Sequence, residues 1–410
     1  MGKPYLISGI DIGNSQVKAV IAKIERNSSR PEIIGFGNSP SLGLRRGMVV
    51  DMEETIDNVR TAVHRAQTMA GASIQRAYVS VNGLHIGNQT SRGVIAVSRA
   101  DNEISQNDID RVVQAASVVS LPANREIIHV IPRNYIVDGT ENVKNPLGMK
   151  GVRLEAEVFI IDGLSPHIRN IAKCVNENNI EVAGLVFAPV AAAMAVLDKN
   201  QKEYGVLHLD FGGGTSTLTV FEEADLLHTS VLPIGSKHIT NDLAIALRTS
   251  LDVAEKIKLD YGATSETEDL RRKDMIDLSA LLAEENFVVS KKQLIKVVDA
   301  RAHELMDMVN AEMKKISRNG MLPAGIVLSG GGSNLPGFAM LVKEALKLPV
   351  RLATTLNMTG AENVSDPSYA VGLGLVAWGF EKEFSKGQKG PSGNNRFISN
   401  VVRWFKNFMP

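Results

Sequence analysis

The chain has 410 residues, enough for two or three domains, with 44% hydrophobic and 22% charged residues, which is ordinary for a globular protein. Lysine plus arginine equals aspartate plus glutamate at 45 each, so the charge balance carries no sign of a nucleic-acid partner. A lone cysteine, Cys174, excludes an internal disulfide or a multi-thiolate metal site and suits a reducing compartment; Ile171, Ala172 and Val175 around it favour a buried structural thiol.

The chain enters a strand-like run at 5–10 without a basic region and apolar core before it, so no signal peptide is expected. Met1-Gly2 lacks the serine or threonine that a myristoylation signal needs, because Leu6 stands there. No uninterrupted apolar run is long enough to span a bilayer, so any membrane contact is expected to be peripheral.

Residues 5–10 and 17–24 read as strands about a turn at Gly13-Asn14-Ser15, followed by a shorter strand at 33–37. Asp51 opens a helix, with Glu54 three residues on as a capping box; Ile56, Val59, Val63 and Ala66 repeat at helical spacing, and Gly71 ends it. A buried strand is expected at 77–81. Residues 83–162 read as a separate unit, with a helix opened by Ser105, a long strand at 127–137 and a Gly/Asn-rich loop at 139–151. Ser165-Pro166 opens another helix, serine as the cap and proline in the first turn. Such interleaving predicts α/β layers with an inserted module.

The second half repeats the theme. Strands at 206–210 and 217–221 flank another glycine turn, a helical region covers about 239–261, and a polar stretch at 264–274 precedes a long amphipathic helix over about 293–317. A buried strand at 326–328 runs into Gly330-Gly331-Gly332. Composition then shifts at 385–395 to the Ser, Lys, Gly, Gln, Pro and Asn of a linker, before an aromatic-rich tail at 396–410.

Two segments match each other. Gly9-Ile-Asp11-Ile-Gly13-Asn14-Ser15 and His208-Leu-Asp210-Phe-Gly212-Gly213-Gly214-Thr215 both read apolar, Asp, apolar, Gly, small polar, then a strand. Glycine turns let successive backbone N–H groups converge on phosphate oxygens. An aspartate at each strand end can then hold hydrated Mg²⁺ through its waters, and Ser15, Lys18 and Thr215 add polar contacts. One copy is more often an ordinary glycine hairpin. Two copies in opposite halves, plus a third glycine cluster at Gly330-Gly331-Gly332-Ser333, point to phosphate binding with a flat adenine or ribose against bare backbone.

These segments resemble the actin, sugar-kinase and heat-shock ATPase superfamily: two phosphate hairpins, an adenosine loop, and two connecting helices rich in small residues (188–194 and 369–375). Within it the chain resembles the FtsA family over essentially its whole length. The carrying segments are Gly43-Leu-Arg-Arg-Gly47-Met-Val-Val-Asp51, His129-Val-Ile-Pro-Arg133-Asn-Tyr135, Asn145-Pro-Leu-Gly148 through Gly151-Val-Arg153-Leu-Glu155-Ala, and Pro233-Ile-Gly235 through Ile239-Thr-Asn-Asp242-Leu-Ala.

The resemblance implies an α/β, actin-like (ribonuclease-H-like) duplicated ATPase fold. Two domains would flank a nucleotide cleft: 1–83, 163–206 and 357–384 in the first, and 207–356 in the second, which includes a helical subdomain at about 240–319. An FtsA-specific subdomain would be inserted at 84–162. It further implies ATP and Mg²⁺ as cofactors, with Asp11 and Asp210 facing the cation. Gly13, Asn14, Ser15, Lys18, Gly212, Gly213, Gly214 and Thr215 would meet phosphates. Gly235, Glu255, Lys258, Gly331, Gly332 and Ser333 would surround ribose and adenine; on sequence alone Glu255/Lys258 reads equally as an exposed helical ion pair.

Heat-shock relatives place a water-orienting glutamate directly before the proline of the first connecting helix. Ala188 stands there and can neither position nor activate water, so slow hydrolysis at most is expected.

On a helix, tail residues Phe397, Ile398, Val401, Trp404, Phe405 and Phe408 gather opposite Arg396, Arg403 and Lys406, which fits an interfacial helix on anionic lipids; a terminal helix docked on protein is the alternative. The resemblance also implies self-assembly into filaments, capture of the C-terminal peptide of FtsZ with Arg301 as a candidate contact, binding of later division proteins through the inserted module, and a place on the cytoplasmic side of the inner membrane. Arg301 alone reads more simply as part of a solvated helix face. Two other readings share the core. A small-molecule kinase calls for a catalytic aspartate opposite the phosphates, which is not identifiable, and a PilM-type assembly adaptor does not call for the tail. A chaperone would need a peptide-binding domain for which no chain remains.

Overall fold

The computed structural model describes residues 5–25, 28–264, 275–279, 287–318 and 320–384. The expected linker and amphipathic tail, and nearly all of the 264–274 stretch, lie outside them.

The strands in chain order are β1 (Tyr5–Ile12), β2 (Gln16–Ile24), β3 (Glu32–Pro40), β4 (Leu44–Arg45), β5 (Met48–Val49), β6 (Arg76–Val81), β7 (Gly87–Ala96), β8 (Arg125–Val137), β9 (Thr140–Val143), β10 (Arg153–Leu164), β11 (Glu181–Phe187), β12 (Val206–Phe211), β13 (Ser216–Glu222), β14 (Asp225–Leu232), β15 (Met275–Asp277), β16 (Val288–Ser290), β17 (Ile326–Ser329) and β18 (Val350–Leu352). Two five-stranded sheets share one topology. The order β11-β6-β1-β2-β3 in the first is repeated as β18-β17-β12-β13-β14 in the second. In each, an antiparallel meander is flanked by two parallel strands. The internal match seen in sequence is therefore a duplicated sheet, with Asp11 opposite Lys18 in one hairpin and Asp210 opposite Thr217 in the other.

Two helices cross between the sheets: Ala188–Val196, directly after β11, and Ala370–Phe384. The first is almost entirely buried and the second nearly so through Gly379, so along the crossing neither has a solvent face to keep polar. Their approach is so close that a Cβ on Gly374 would run into the carbonyl of Ala191. The first sheet is covered on its other face by the helix Met52–Ala70, which β3 approaches through Gly35 and Gly37. The second is covered by Ser236–Leu247, Leu251–Tyr261 and the long helix Lys291–Lys315, whose Leu294, Val298, Leu305 and Val309 are buried in the second domain's core.

Between β6 and β11 the chain builds the inserted module, a sheet ordered β7-β10-β8-β9 under the helix Gln106–Ser117. It has its own core around Ile109, Val112, Leu154 and Val158. The module also touches the rest of the molecule. His129 on β8 accepts from the Phe187 amide (2.9 Å) and packs against the Trp378 ring, so one imidazole meets the start of one crossing helix and the middle of the other. Asn88 donates to the Thr229 carbonyl (2.9 Å), and Lys144 pairs with Asp225 (2.6 Å), both reaching the second sheet.

Several local expectations are corrected or refined. Asp51 caps its helix through the Glu54 amide, but the Glu54 carboxylate turns to Asn58, so half of the box forms. Ser165 is the first helical residue and Leu164 the cap, with no side-chain cap bond; Pro166 sits in the first turn as expected. The region from 239 to 261 is two helices, broken where Arg248 turns left-handed (φ 54°) and Ser250 caps the second. The loop at 139–151 contains β9, because Asp138 and Gly139 both take positive φ and close a tight hairpin.

Candidate functional site

The two glycine hairpins meet tip to tip between the sheets. A Cβ on Gly213 would strike Ser15, and one on Gly214 would strike Asn14, so bare backbone is required on the second hairpin by the approach of the first. Around and behind the tips lies a cavity of about 410 Å³. Of the residues expected at such a site, Asp11, Gly13, Asn14, Ser15, Lys18, Asp210, Gly212, Gly213, Thr215, Glu255, Lys258, Gly331 and Gly332 line it.

Three expected contacts stand behind the wall. Gly214 faces Asn14. Gly235 lies against the Gly213 carbonyl, and the two amides after it, Ser236 and Lys237, donate to the Gly212 and Gly213 carbonyls (2.8 Å each). Those helix-start amides are spent on holding the second hairpin. Ser333 is buried and donates to the Gly330 carbonyl (2.6 Å), closing the 3-10 turn Gly331–Asn334 that follows β17. Arg301 is outside the cavity. Its guanidinium grips both oxygens of Asp242 (2.7 and 2.9 Å) and reaches Glu304, tying the long helix to Ser236–Leu247.

Charge is concentrated at the hairpin roots. Burial pushes the Asp11 carboxyl up to about 6, against the pull of Lys18 and a Ser80 hydrogen bond and with added repulsion from Asp210. Asp210 is raised too, by burial first, against the Ser329 hydrogen bond and Lys18. Lys18 is lowered by burial despite Asp11, Asp366 and Asp210 around it, and donates to the Ser368 carbonyl (2.7 Å). Two carboxylates thus share one buried ammonium, a deficit of positive charge that a divalent cation would relieve. Burial alone would raise Asp366, but hydrogen bonds from Ser368 and Asn334 outweigh it and lower its pKa.

Across the cavity Lys258 is buried on Glu255 (2.7 Å) and the Thr240 hydroxyl (3.0 Å). This is the helical ion pair read as one alternative, but it is placed in the cavity wall. Ile239, Leu259, Leu335 and Pro336 give that end an apolar surface.

Sequence reasoning missed Asn82, Gly47, Ser236, Asn334, Asp366 and Ser368, which also line the cavity. Asn82 donates to the Thr217 hydroxyl (3.2 Å), and Gly47 donates to Asn14 (2.9 Å). Gly47, Ser236 and Asn334 sit in or directly beside glycine segments already singled out, whereas Asp366 and Ser368 do not; for Asn82 the signal available was Asn82-Gly83, a polar step closing a buried strand.

The donor set suits a hydrated hard cation with a phosphate chain: carboxylates, hydroxyls and backbone amides around a glycine cradle. Among the described residues no group of three or more His, Cys, Asp or Glu could cage a metal by itself. No helix among them is long and apolar enough to cross a membrane.

Comparison with known proteins agrees with the architecture. A family profile described as "Cell division protein FtsA" matches residues 207–374, and one described as "SHS2 domain inserted in FTSA" matches residues 83–162, the span of the inserted module. The chain is 37% identical to the cell division protein FtsA of Pseudomonas aeruginosa, covering 92% of this chain and 90% of that one. It is 35% identical to that of Bacillus subtilis (95% and 87%) and 31% identical to that of Escherichia coli K12 (98% and 96%). Among solved structures it superposes on the PilM–PilN type IV pilus biogenesis complex with TM-score 0.65 at 16% identity, covering 91% of this chain and 98% of that one. It superposes on MreB5 of Spiroplasma citri bound to ADP with TM-score 0.54 at 14% identity, covering 93% and 99%. The last two establish the actin-like fold; the near-complete, 31–37% identical relatives establish more, and the chain belongs to the FtsA family of cell-division proteins.

Proposed function

We propose that the cleft binds ATP with Mg²⁺, and that the chain polymerises at the cytoplasmic face of the inner membrane to tether FtsZ filaments there. One observation carries the nucleotide part: two symmetry-related hairpins with Asp11 and Asp210 at their roots bracket one cavity. Asp11 and Asp210 would hold the cation through its waters. The hairpin amides, Ser15, Lys18 and Thr215 would orient the phosphates, while Glu255, Lys258, Gly331 and Gly332 would frame ribose and adenine. Bound Mg²⁺ supplies charge neutralisation for the phosphate chain. The ADP-bound MreB5 neighbour supports the choice of adenine nucleotide. Isothermal titration of the folded protein with ATP and Mg²⁺ tests it; absence of binding removes this part of the reading.

Hydrolysis is slow, because Ala188 lines the cavity where a water-orienting acid would stand. Stoichiometric phosphate release within seconds in a single-turnover assay would contradict this.

Membrane attachment falls to residues 396–410, with Phe397, Ile398, Val401, Trp404, Phe405 and Phe408 entering an anionic lipid surface. Removing 396–410 abolishes liposome co-sedimentation if this is right. A single such helix is a weak anchor, so linked subunits gain avidity from many tails. Arg301 belongs to the proposed docking area for the FtsZ peptide, and the inserted module to that for later division proteins. Arg301→Glu weakens the peptide without changing ATP affinity; the Asp242 grip makes a melting curve the necessary control. Electron microscopy on lipid monolayers with ATP tests nucleotide, membrane and filament together.

A further inference from the structure

Each aspartate at a hairpin root is held by a serine from the neighbouring parallel strand. Ser80 on β6 donates to Asp11 Oδ1 (2.7 Å), and Ser329 on β17 donates to Asp210 Oδ2 (2.7 Å). Both serines are buried, at 3% and 0% exposure. Their direction of donation is fixed from behind. A hydroxyl has one proton and two lone pairs, so a donor aimed at its oxygen leaves the proton for the other side. In the first half that donor is the Ile12 amide (3.1 Å to Ser80 Oγ). In the second it is the imidazole of His208, Nε2 2.8 Å from Ser329 Oγ. An ionised Asp210 only accepts, so Ser329 donates to it and His208 carries its proton on Nε2. The opposite ring nitrogen, Nδ1, is buried with no partner, which an acceptor tolerates better than a donor would.

The duplicated sheet produced the serine and the aspartate twice at one register, but not the backing donor. Position 208 has Gly9 as its counterpart, two residues before the aspartate in each strand. A side chain at Gly9 is forbidden, since its Cβ would meet the Gly372 carbonyl and Leu375 of the second crossing helix. The first half uses a backbone amide where the second, free of that helix, uses a buried histidine. Two different means to one hydrogen-bond direction argue that the direction itself is what matters.

We propose that Ser80 and Ser329, with Ile12 N–H and His208 behind them, are positioning residues. They pin one oxygen of each aspartate, so that the other oxygen is presented at a fixed angle to the hydrated cation between the hairpins. This deepens the Mg²⁺–nucleotide reading and rests on it. A locked carboxylate gives up little rotational freedom when the cation's waters engage it; a free one gives up more.

The test compares ADP affinity with excess Mg²⁺ and with EDTA, by titration calorimetry, in wild type, Ser80→Ala, Ser329→Ala, His208→Leu and His208→Gln. The expected result is an approximately tenfold loss of the Mg²⁺-dependent gain in affinity in both alanine variants and in His208→Leu. The affinity in EDTA, the internal reference, stays within about threefold. His208→Gln, whose amide can still donate to Ser329, retains most of the gain. A merely structural role would lower both affinities together and would not be rescued by glutamine. An unchanged Mg²⁺ gain in both alanine variants, or equal losses with and without Mg²⁺, overturns the proposal. If one alanine variant does not fold, the other and the His208 pair decide it. Failure of the wild type to bind ADP in either condition defeats the nucleotide reading itself, and this inference with it.

Discussion

The two halves of the core are the same sheet built twice, yet they do different work. Both place an aspartate at the root of a glycine hairpin and a serine beside it. Opposite the aspartate, however, the first half carries Lys18 and the second Thr217. Only the first half bears the inserted module, and only there must the strand yield to a crossing helix at Gly9. Duplication supplies twice what the proposed triphosphate would need, an acid and a ring of amides on each wall. Divergence supplies what it needs once. A second buried lysine at 217 would balance the two carboxylates and remove the reason for a divalent cation.

The largest expected effect comes where the halves touch. Gly374→Val pushes a branched side chain into the Ala191 carbonyl inside a fully packed crossing. Cores relax poorly against backbone, so a loss above about 4 kcal/mol is expected, and no cooperative melting transition near the wild-type temperature. Gly71→Ala is the contrast. Nothing lies within 4 Å of its Cβ, and only its left-handed φ of 62° is strained, so it costs about 1 kcal/mol.

Next is the asymmetry in charge. Lys18→Met leaves Asp11 and Asp210 without their shared ammonium and removes a proposed phosphate contact. An affinity loss for ATP of about 100-fold, near 2.7 kcal/mol, is expected by titration calorimetry. A variant that binds within threefold of wild type would show that the lysine serves only the fold, through Ser368.

The module supplies the third test. His129 is buried, and burial first, with Lys382 adding, lowers its pKa to about 3. The folded pKa lies below the unfolded one near 6.5, so the unfolded chain takes up the proton between them. Stability from this group is intact at neutral pH and is lost as pH falls below about 6.5. His129→Gln keeps an acceptor for the Phe187 amide without titrating. It should be less stable than wild type at pH 7, through lost packing on Trp378. Its deficit should shrink by about 2 kcal/mol at pH 5, read from urea midpoints. A deficit that is constant with pH would mean the imidazole is not buried neutral.

Much of this was legible in the sequence, and unevenly so. The hairpins, the buried strands and the small-residue crossing helices announce themselves because glycine spacing and apolar runs are local signals. Thirteen of the expected cavity residues line it for the same reason: they lie on the turns themselves or on helices fixed by the family pattern. What could not be read was pairing across distance. Nothing near Ser80 or Ser329 says that each will face an aspartate some seventy or more residues earlier. Nothing in Arg301-x-x-Glu304 says that Asp242 will occupy the guanidinium. Ser333 and Gly235 looked like ligand contacts because they sit in glycine motifs, whereas their place is behind the loops they support.

The smallest effect sharpens the comparison most. Thr217 stands where Lys18 stands in the other half, and its hydroxyl accepts from Asn82 on the first domain (3.2 Å). Thr217→Val keeps the shape of a fully buried side chain and removes that acceptor. Asn82 lines the cavity, so water can replace the lost partner, and the cost should be about 1 kcal/mol or less, at most about fivefold in ATP affinity. Stability should hardly move. If Thr217→Val instead matched Lys18→Met in its loss, the two positions would be equivalent in function as well as in register. The single-lysine account of the cleft would then give way to one in which both hairpins contribute alike.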